Sequence, residues 1–222
     1  MTLPEPSRRL TEAEYLEIER GAESKSEFFE GEMFAMAGGT PQHSLIATNL
    51  ARELGNRLKS GHGVAYNADL RIKIEATGLC TYPDLSVVCG PLQFAQGTDD
   101  TVLNPTLLVE VLSDSTEAYD RGKKFEHCRQ IPALQEYLLV SQKEPRIEQF
   151  VRQPDGRWLL NEAAGPDASL ELPSIRISLS LAEVFAKVNF AHDPIRAASP
   201  RSRSATTSRG RVMRVPGAYF AK

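Results

Sequence analysis

The chain has 222 residues, 41% of them apolar, and a formal net charge of −3. That length suits one α/β domain of ordinary size plus a tail. No apolar run approaches the roughly 20 residues that span a bilayer, and the N-terminal "MTLPEPSRRL" lacks the apolar segment of a signal peptide.

Cys80, Cys89 and Cys128 are odd in number and far apart, and form neither a C-x-x-C pair nor a zinc-like cluster with the histidines. Free thiols and a cytoplasmic location are the expectation. Charge is uneven along the chain. Residues 191–222 carry seven Lys or Arg against Asp193 alone, so this segment is +6 and residues 1–190 are −9. An acidic body is not what a duplex-binding surface calls for.

In chain order, Thr11 and Glu14 form a capping box ahead of an apolar stripe of Leu10, Tyr15 and Ile18, which predicts a helix. "SEFFEGEMFAMAG" reads as a hairpin turning at Gly31. "TPQHSLIATNLARELGNRLKSG" is a long helix capped by Thr40, with Pro41 in its first position and Gly61 as its stop. Leu45, Leu50, Leu54 and Leu58 are expected along its core side. "VAYNADLRIKIE" reads as one strand that alternates from Asp69 onward, with Leu70, Ile72 and Ile74 on one face and Arg71 and Lys73 on a wet one.

"YPDLSVVCG" and "TLLVEVLSD" are almost continuously apolar and read as central strands. "STEAYDRGKKFEHCRQI" is a second helix, capped by Ser115 or Thr116. "EYLLVSQ", "RIEQFVRQ" and "WLLNEA" are three more strands, and a short helix near residues 181–188 closes the domain. The expected division is a domain over residues 1–190 and a basic tail over 191–222, whose Ser, Arg and Pro content predicts disorder.

The residues that stand out are carboxylates in apolar strands. On a strand, Leu108, Glu110 and Leu112 share a face, and Asp84, Ser86 and Val88 share one in the preceding strand. Burying an unpaired carboxylate costs several kcal/mol, roughly, so each needs a reason. A plain one exists for both: Asp84 could bond nearby amides, and Glu110 could pair with a residue such as Arg71. Lys124 stands four residues after Asp120, which allows a surface ion pair; Lys123 lies about 100° round the helix, so only one of the two points inward. The alternative is that Asp84, Glu110 and Lys124 form one working set. Two carboxylates can hold Mg²⁺, and a lysine beside them can place water or stabilise a phosphate in hydrolysis.

These strings, in this order, resemble the Uma-type putative restriction endonuclease family of the PD-(D/E)XK nuclease superfamily. The resemblance runs from "EFFEGEMFAMAGGTPQHSLIATNL" through "DLRIKI", "YPDLSVVCG" and "PTLLVEVLSDSTEAYDRGKKFEHCRQIPALQEYLLV" to "LSLAEVF", about residues 10 to 188. It implies a restriction-endonuclease-like α/β fold, a central mixed β-sheet flanked by α-helices. It implies Asp84 and Glu110 as metal ligands and Lys124 as the catalytic lysine, with Glu27, Glu32 and His43 as accessory candidates. Leu112 stands where an E-x-K motif would put its lysine, and the resemblance moves that role to Lys124. Asp69 and Asp120 match family positions with structural roles.

The expected function is Mg²⁺-dependent hydrolysis of DNA phosphodiester bonds by an endonuclease, with Mn²⁺ as a substitute metal, no membrane partner, and a homodimer as a working form. The competing expectation is a catalytically silent nuclease-fold protein that binds nucleic acid or serves in assembly. Ordinary roles compete for the accessory residues too: helix-end packing for His43, and a solvated hairpin edge for Glu27 and Glu32.

Overall fold

A computed structural model describes residues 8–61 and 63–190; the basic tail lies outside the described residues. The chain runs through α1 (Glu12–Gly21), β1 (Ser26–Phe29), β2 (Glu32–Ala35), α2 (Pro41–Leu58), β3 (Gly63–Asn67), β4 (Arg71–Ile74), β5 (Leu79–Thr81), β6 (Leu85–Cys89), β7 (Thr101–Val102) and β8 (Leu107–Val111). It continues through α3 (Glu117–Tyr119), a π-helical turn (Asp120–Lys124), α4 (Phe125–Cys128), β9 (Glu136–Val140), β10 (Arg146–Arg152), β11 (Trp158–Ala164), β12 (Ser169–Leu172), β13 (Ile177–Ser180) and α5 (Leu181–Val184).

Six strands form the main sheet in the order β11-β10-β9-β8-β6-β3. It is mixed: β8 and β9 run parallel, and their outer neighbours antiparallel. A five-stranded sheet, β2-β1-β5-β4-β7, and the β12–β13 hairpin complete the fold.

The central strands of the main sheet are buried on both faces, which is why β6 and β8 read as unbroken apolar runs. On one face Leu107, Val109 and Val111 pack against Ile46, Leu50 and Leu54 of α2, the hairpin and α5. On the other, Leu108, Leu112 and Val88 meet Phe125 and Cys128 of α4 together with Ile72 and Leu79 of the smaller sheet. Each fully buried Leu or Ile contributes about 1.5–3 kcal/mol. A satellite core stacks Tyr15 of α1 on Phe28 of β1, ring centroids 4.7 Å apart. No helix among the described residues is long and apolar enough to cross a membrane.

The caps fall where their residues predict. Thr11 and Glu14 close a capping box on α1, and the Thr40 hydroxyl accepts the His43 amide of α2. Gly31 turns the first hairpin at φ +84°, a conformation that suits a residue without Cβ.

Five expectations change. "VAYNADLRIKIE" is two strands rather than one, because the chain turns at residues 68–70: β3 joins the six-stranded sheet and β4 the five-stranded one. Ile46, rather than Leu45, takes the first core position of α2. The wet face expected of Arg71 and Lys73 is covered. Arg71 is buried, donates to Tyr82 Oη at 2.8 Å and faces the Tyr15 ring, while Lys73 pairs with Glu12 of α1 at 2.6 Å. The second helix is broken by its π turn, and its first amides bond Ser113 rather than the side chain of Ser115 or Thr116. The Asp120–Lys124 pair is therefore buried, not superficial.

Candidate active site

Asp84 and Glu110 are neighbours across two central strands. β6 and β8 pair Leu85 with Val109 and Ser86 with Leu108; one residue further, the same register sets Asp84 opposite Glu110. Both project on the face that carries Val88, Leu108 and Leu112. Asp84 follows Pro83 at the mouth of its strand, and its Oδ2 accepts the Val111 amide at 2.7 Å. That bond fits the plain reading of Asp84 as a strand-end residue, and it also fixes the carboxylate beside Glu110.

His43 reaches the same oxygen from the first turn of α2. Its Nε2 lies 3.2 Å from Asp84 Oδ2. The bond to Asp84 raises the His43 pKa above its ordinary value, against the lowering effect of burial.

Lys124 enters from the π turn. Such turns insert a residue into a helix and often mark functional sites. Here the turn carries Asp120 and Lys124 into the interior, both 4% exposed. Lys124 Nζ lies 2.8 Å from Glu110 Oε1, 3.4 Å from Glu27 Oε1 and 3.8 Å from Asp120 Oδ1. Lys123 points outward, its side chain 73% exposed and paired with Glu126, so one lysine of the two faces inward.

The cluster is short of positive charge, because several carboxyls share one ammonium. Burial raises the Glu110 pKa well above the usual carboxyl range; Lys124 partly counters this, while Asp120 and Asp84 add to it. Burial pushes Lys124 down, but Glu110, Glu27 and Asp120 outweigh it and hold its pKa well above the usual lysine value. Both shifts run upward, burial being the leading cause for Glu110 and the neighbouring carboxylates the cause for Lys124.

Other candidates lie elsewhere. Glu32 is exposed at the turn end of β2. Asp69 is exposed, paired with Lys25 and bonded to Asn67. Arg71 does not meet Glu110: it turns to Tyr82, Thr101 and Asp100.

A family profile described as "Putative restriction endonuclease", Uma2, matches residues 12–183. The chain belongs to this family. Two relatives agree in extent. The uncharacterized protein slr1290 of Synechocystis sp. (strain ATCC 27184 / PCC 6803 / Kazusa) is 39% identical over 185 residues, 83% of this chain and 96% of its own. The uncharacterized protein sll1609 of the same strain is 37% identical over 168 residues, 76% of this chain and 95% of its own. The crystal structure of a putative nuclease belonging to DUF820 from Anabaena variabilis ATCC 29413 superposes with a TM-score of 0.64 at 21% identity, over 78% of this chain and 96% of that one. That likeness establishes the shared fold.

In this Uma2 chain, Leu112 fills the position of an E-x-K lysine and is buried in the core; the inward ammonium comes from the π turn instead. Among the described residues, no three His, Cys, Asp or Glu side chains already form a metal-holding group. Mg²⁺ does not require one, since it is commonly held by one or two carboxylates with water and phosphate. The donor set fits such an ion. Glu110 is 3% exposed, and its Oε1, though within ion-pair distance of Lys124, makes no well-directed hydrogen bond. Buried carboxylates that share a single ammonium are what a small hard cation would satisfy.

Three residues of the site had no sequence signal. Tyr119 donates to Glu27 Oε2 at 2.9 Å, and Thr81 donates to Glu27 Oε1. Gln142, after β9, donates to the Leu112 carbonyl at 2.7 Å; its own carbonyl groups accept from Thr40 and Gln42. It thereby ties the end of β8 to the start of the helix that carries His43. Such uncharged residues look like ordinary loop and strand-end residues until the fold assembles them.

Proposed function

We propose that this Uma2 chain is an Mg²⁺-dependent endonuclease that hydrolyses phosphodiester bonds in DNA, with Mn²⁺ able to replace Mg²⁺. The observation that carries this reading is the convergence of Asp84 and Glu110 on one sheet face, with Lys124 Nζ 2.8 Å from Glu110.

Asp84 and Glu110 would hold the ion, which when bound supplies Lewis-acid polarisation of a phosphate oxygen and a more acidic water. Lys124 is held protonated by its carboxylate neighbours. It therefore serves as a fixed positive charge that orients water or stabilises the charge developing on phosphorus oxygens, and not as a proton acceptor. His43 steadies Asp84 and, from the first turn of α2, offers a donor to a phosphate.

A second reading rests on the −9 charge of residues 1–190. An acidic body favours a nuclease-fold protein that has given up cleavage and works as a binding or assembly module. Incubation with plasmid and with single-stranded DNA, with and without Mg²⁺ or Mn²⁺, separates the two. Metal-dependent cleavage of either DNA supports the endonuclease; intact DNA under all conditions leaves the module.

A further inference from the structure

Lysine offers three N–H donors, and three carboxylates stand around Lys124: Glu110 at 2.8 Å, Glu27 at 3.4 Å and Asp120 at 3.8 Å. They are not equivalent. Glu110 belongs to the six-stranded sheet and Glu27 to the five-stranded one, so the ammonium is suspended between two sheets. Glu27 is also already engaged by hydroxyls. Thr81, at the end of β5, donates to Oε1, and Tyr119, in the short helix that leads into the π turn, donates to Oε2 at 2.9 Å.

An ionised carboxylate accepts at about four lone-pair sites. Two hydroxyls and an ammonium use most of those on Glu27, whereas Glu110 is met at Oε1 by the ammonium alone of these three donors. The two carboxylates therefore differ in what they have left to give.

We propose that Glu27 is a positioning residue for Lys124 rather than a metal ligand, and that the Thr81 and Tyr119 hydroxyls lock it in that role. The inference rests on the endonuclease reading for its kinetic consequence, but not for its geometry. One segment of chain supplies both the ammonium and, through Tyr119, a hydroxyl that fixes its counter-ion. Thr81 closes β5 and Asp84 stands just before β6, so a short connector of the chain links the clamp to the carboxylate proposed to hold the metal. Loosening Glu27 would let the ammonium swing toward Glu110 and away from the position it holds for the phosphate. Misplacement of a positioning group by about 1 Å can cost about 100-fold in rate.

The test compares wild type, Glu27→Gln and Tyr119→Phe, with Mg²⁺ alone as the calorimetric probe. Three readouts are taken: Mg²⁺ affinity, kcat and KM for DNA cleavage, and the side-chain ¹H–¹⁵N ammonium signal of Lys124, identified by its loss in Lys124→Arg. The expected result is unchanged Mg²⁺ affinity, a kcat lower by about 100-fold in Glu27→Gln with KM unchanged, and a smaller loss of the same kind in Tyr119→Phe. The ammonium signal should be slowly exchanging in wild type, and shifted or broadened in both variants. Loss of Mg²⁺ binding in a folded Glu27→Gln would make Glu27 a ligand and overturn the inference; so would an ammonium signal identical in all three proteins. If wild type does not cut DNA, the endonuclease reading fails, while the ammonium signal and Mg²⁺ affinity still decide the role of Glu27.

Discussion

Lys124 and Glu110 meet at 2.8 Å in the interior, one from a π turn and the other from the middle of a central strand. Neither has a comparable reason to be buried alone. Removing one partner of a buried pair typically costs about 3–5 kcal/mol, because the other charge is left uncompensated.

Lys124→Met should therefore destabilise the fold by about 3–5 kcal/mol, read from urea denaturation. Adding Glu110→Gln should recover part of that loss, since the stranded carboxylate is gone. Coupled groups give non-additive changes. A double variant whose loss equals the sum of the two single losses would show that the pair does not interact.

Metal affinity should depend on pH in a defined direction. Burial raises the Glu110 pKa above the ordinary carboxyl range, so the group keeps its proton at pH values where an exposed glutamate has lost it. Cation binding needs the ionised form. Mg²⁺ affinity should fall as pH is lowered, beginning above the range where an exposed glutamate titrates, with proton release on binding. Calorimetry in two buffers of different ionisation enthalpy measures both; equal affinity and no proton release would contradict the shift. The same sign applies to stability. A raised carboxyl penalises the folded state once pH exceeds the unfolded-state value, so without metal this contribution worsens as pH rises, and added Mg²⁺ should offset it.

Arg71 provides the contrast. It is buried, donates to Tyr82 and Thr101, and lies 3.5 Å from Asp100. Arg71→Met should cost about 1.5–3 kcal/mol, the scale of a hydrogen bond to a charged group. It should leave Mg²⁺ affinity untouched. Thermal unfolding and calorimetry on one preparation check both; a loss of Mg²⁺ binding in a folded Arg71→Met would tie it to the site.

The parts of the fold legible in the sequence were those set by local rules. Thr11 and Thr40 cap their helices, and the alternation in β8 separates Val109 from Glu110 across the sheet. The short strands β5, β7, β12 and β13 were not foreseen; each is two to four residues long and none stands in a longer alternating run of the kind that flagged β4. The π turn was missed for a different reason. Its sequence, "DRGKK", satisfies a surface i,i+4 pair as well as a buried one, and only the carboxylates from other elements decide between them.

The candidate site was legible through its charges. Asp84 and Glu110 stood out as carboxylates in apolar strands, whereas Lys124 allowed an ordinary surface pair with Asp120; the family resemblance joined the three. Glu27 was ambiguous, because an acidic residue in a hairpin is ordinarily solvated; it is buried here because β1 packs its Glu27 side toward the π turn. Glu32, on the partner strand of the same hairpin, stays exposed.

The most direct measurement compares Mg²⁺-dependent DNA cleavage by wild type, Asp84→Asn, Glu110→Gln and the double variant, with circular dichroism confirming that each is folded. Because the two carboxylates are proposed to serve one cation, each single change should reduce cleavage to the metal-free background, and the double variant should be no worse than either. Wild-type cleavage by a folded Asp84→Asn or Glu110→Gln would contradict the account.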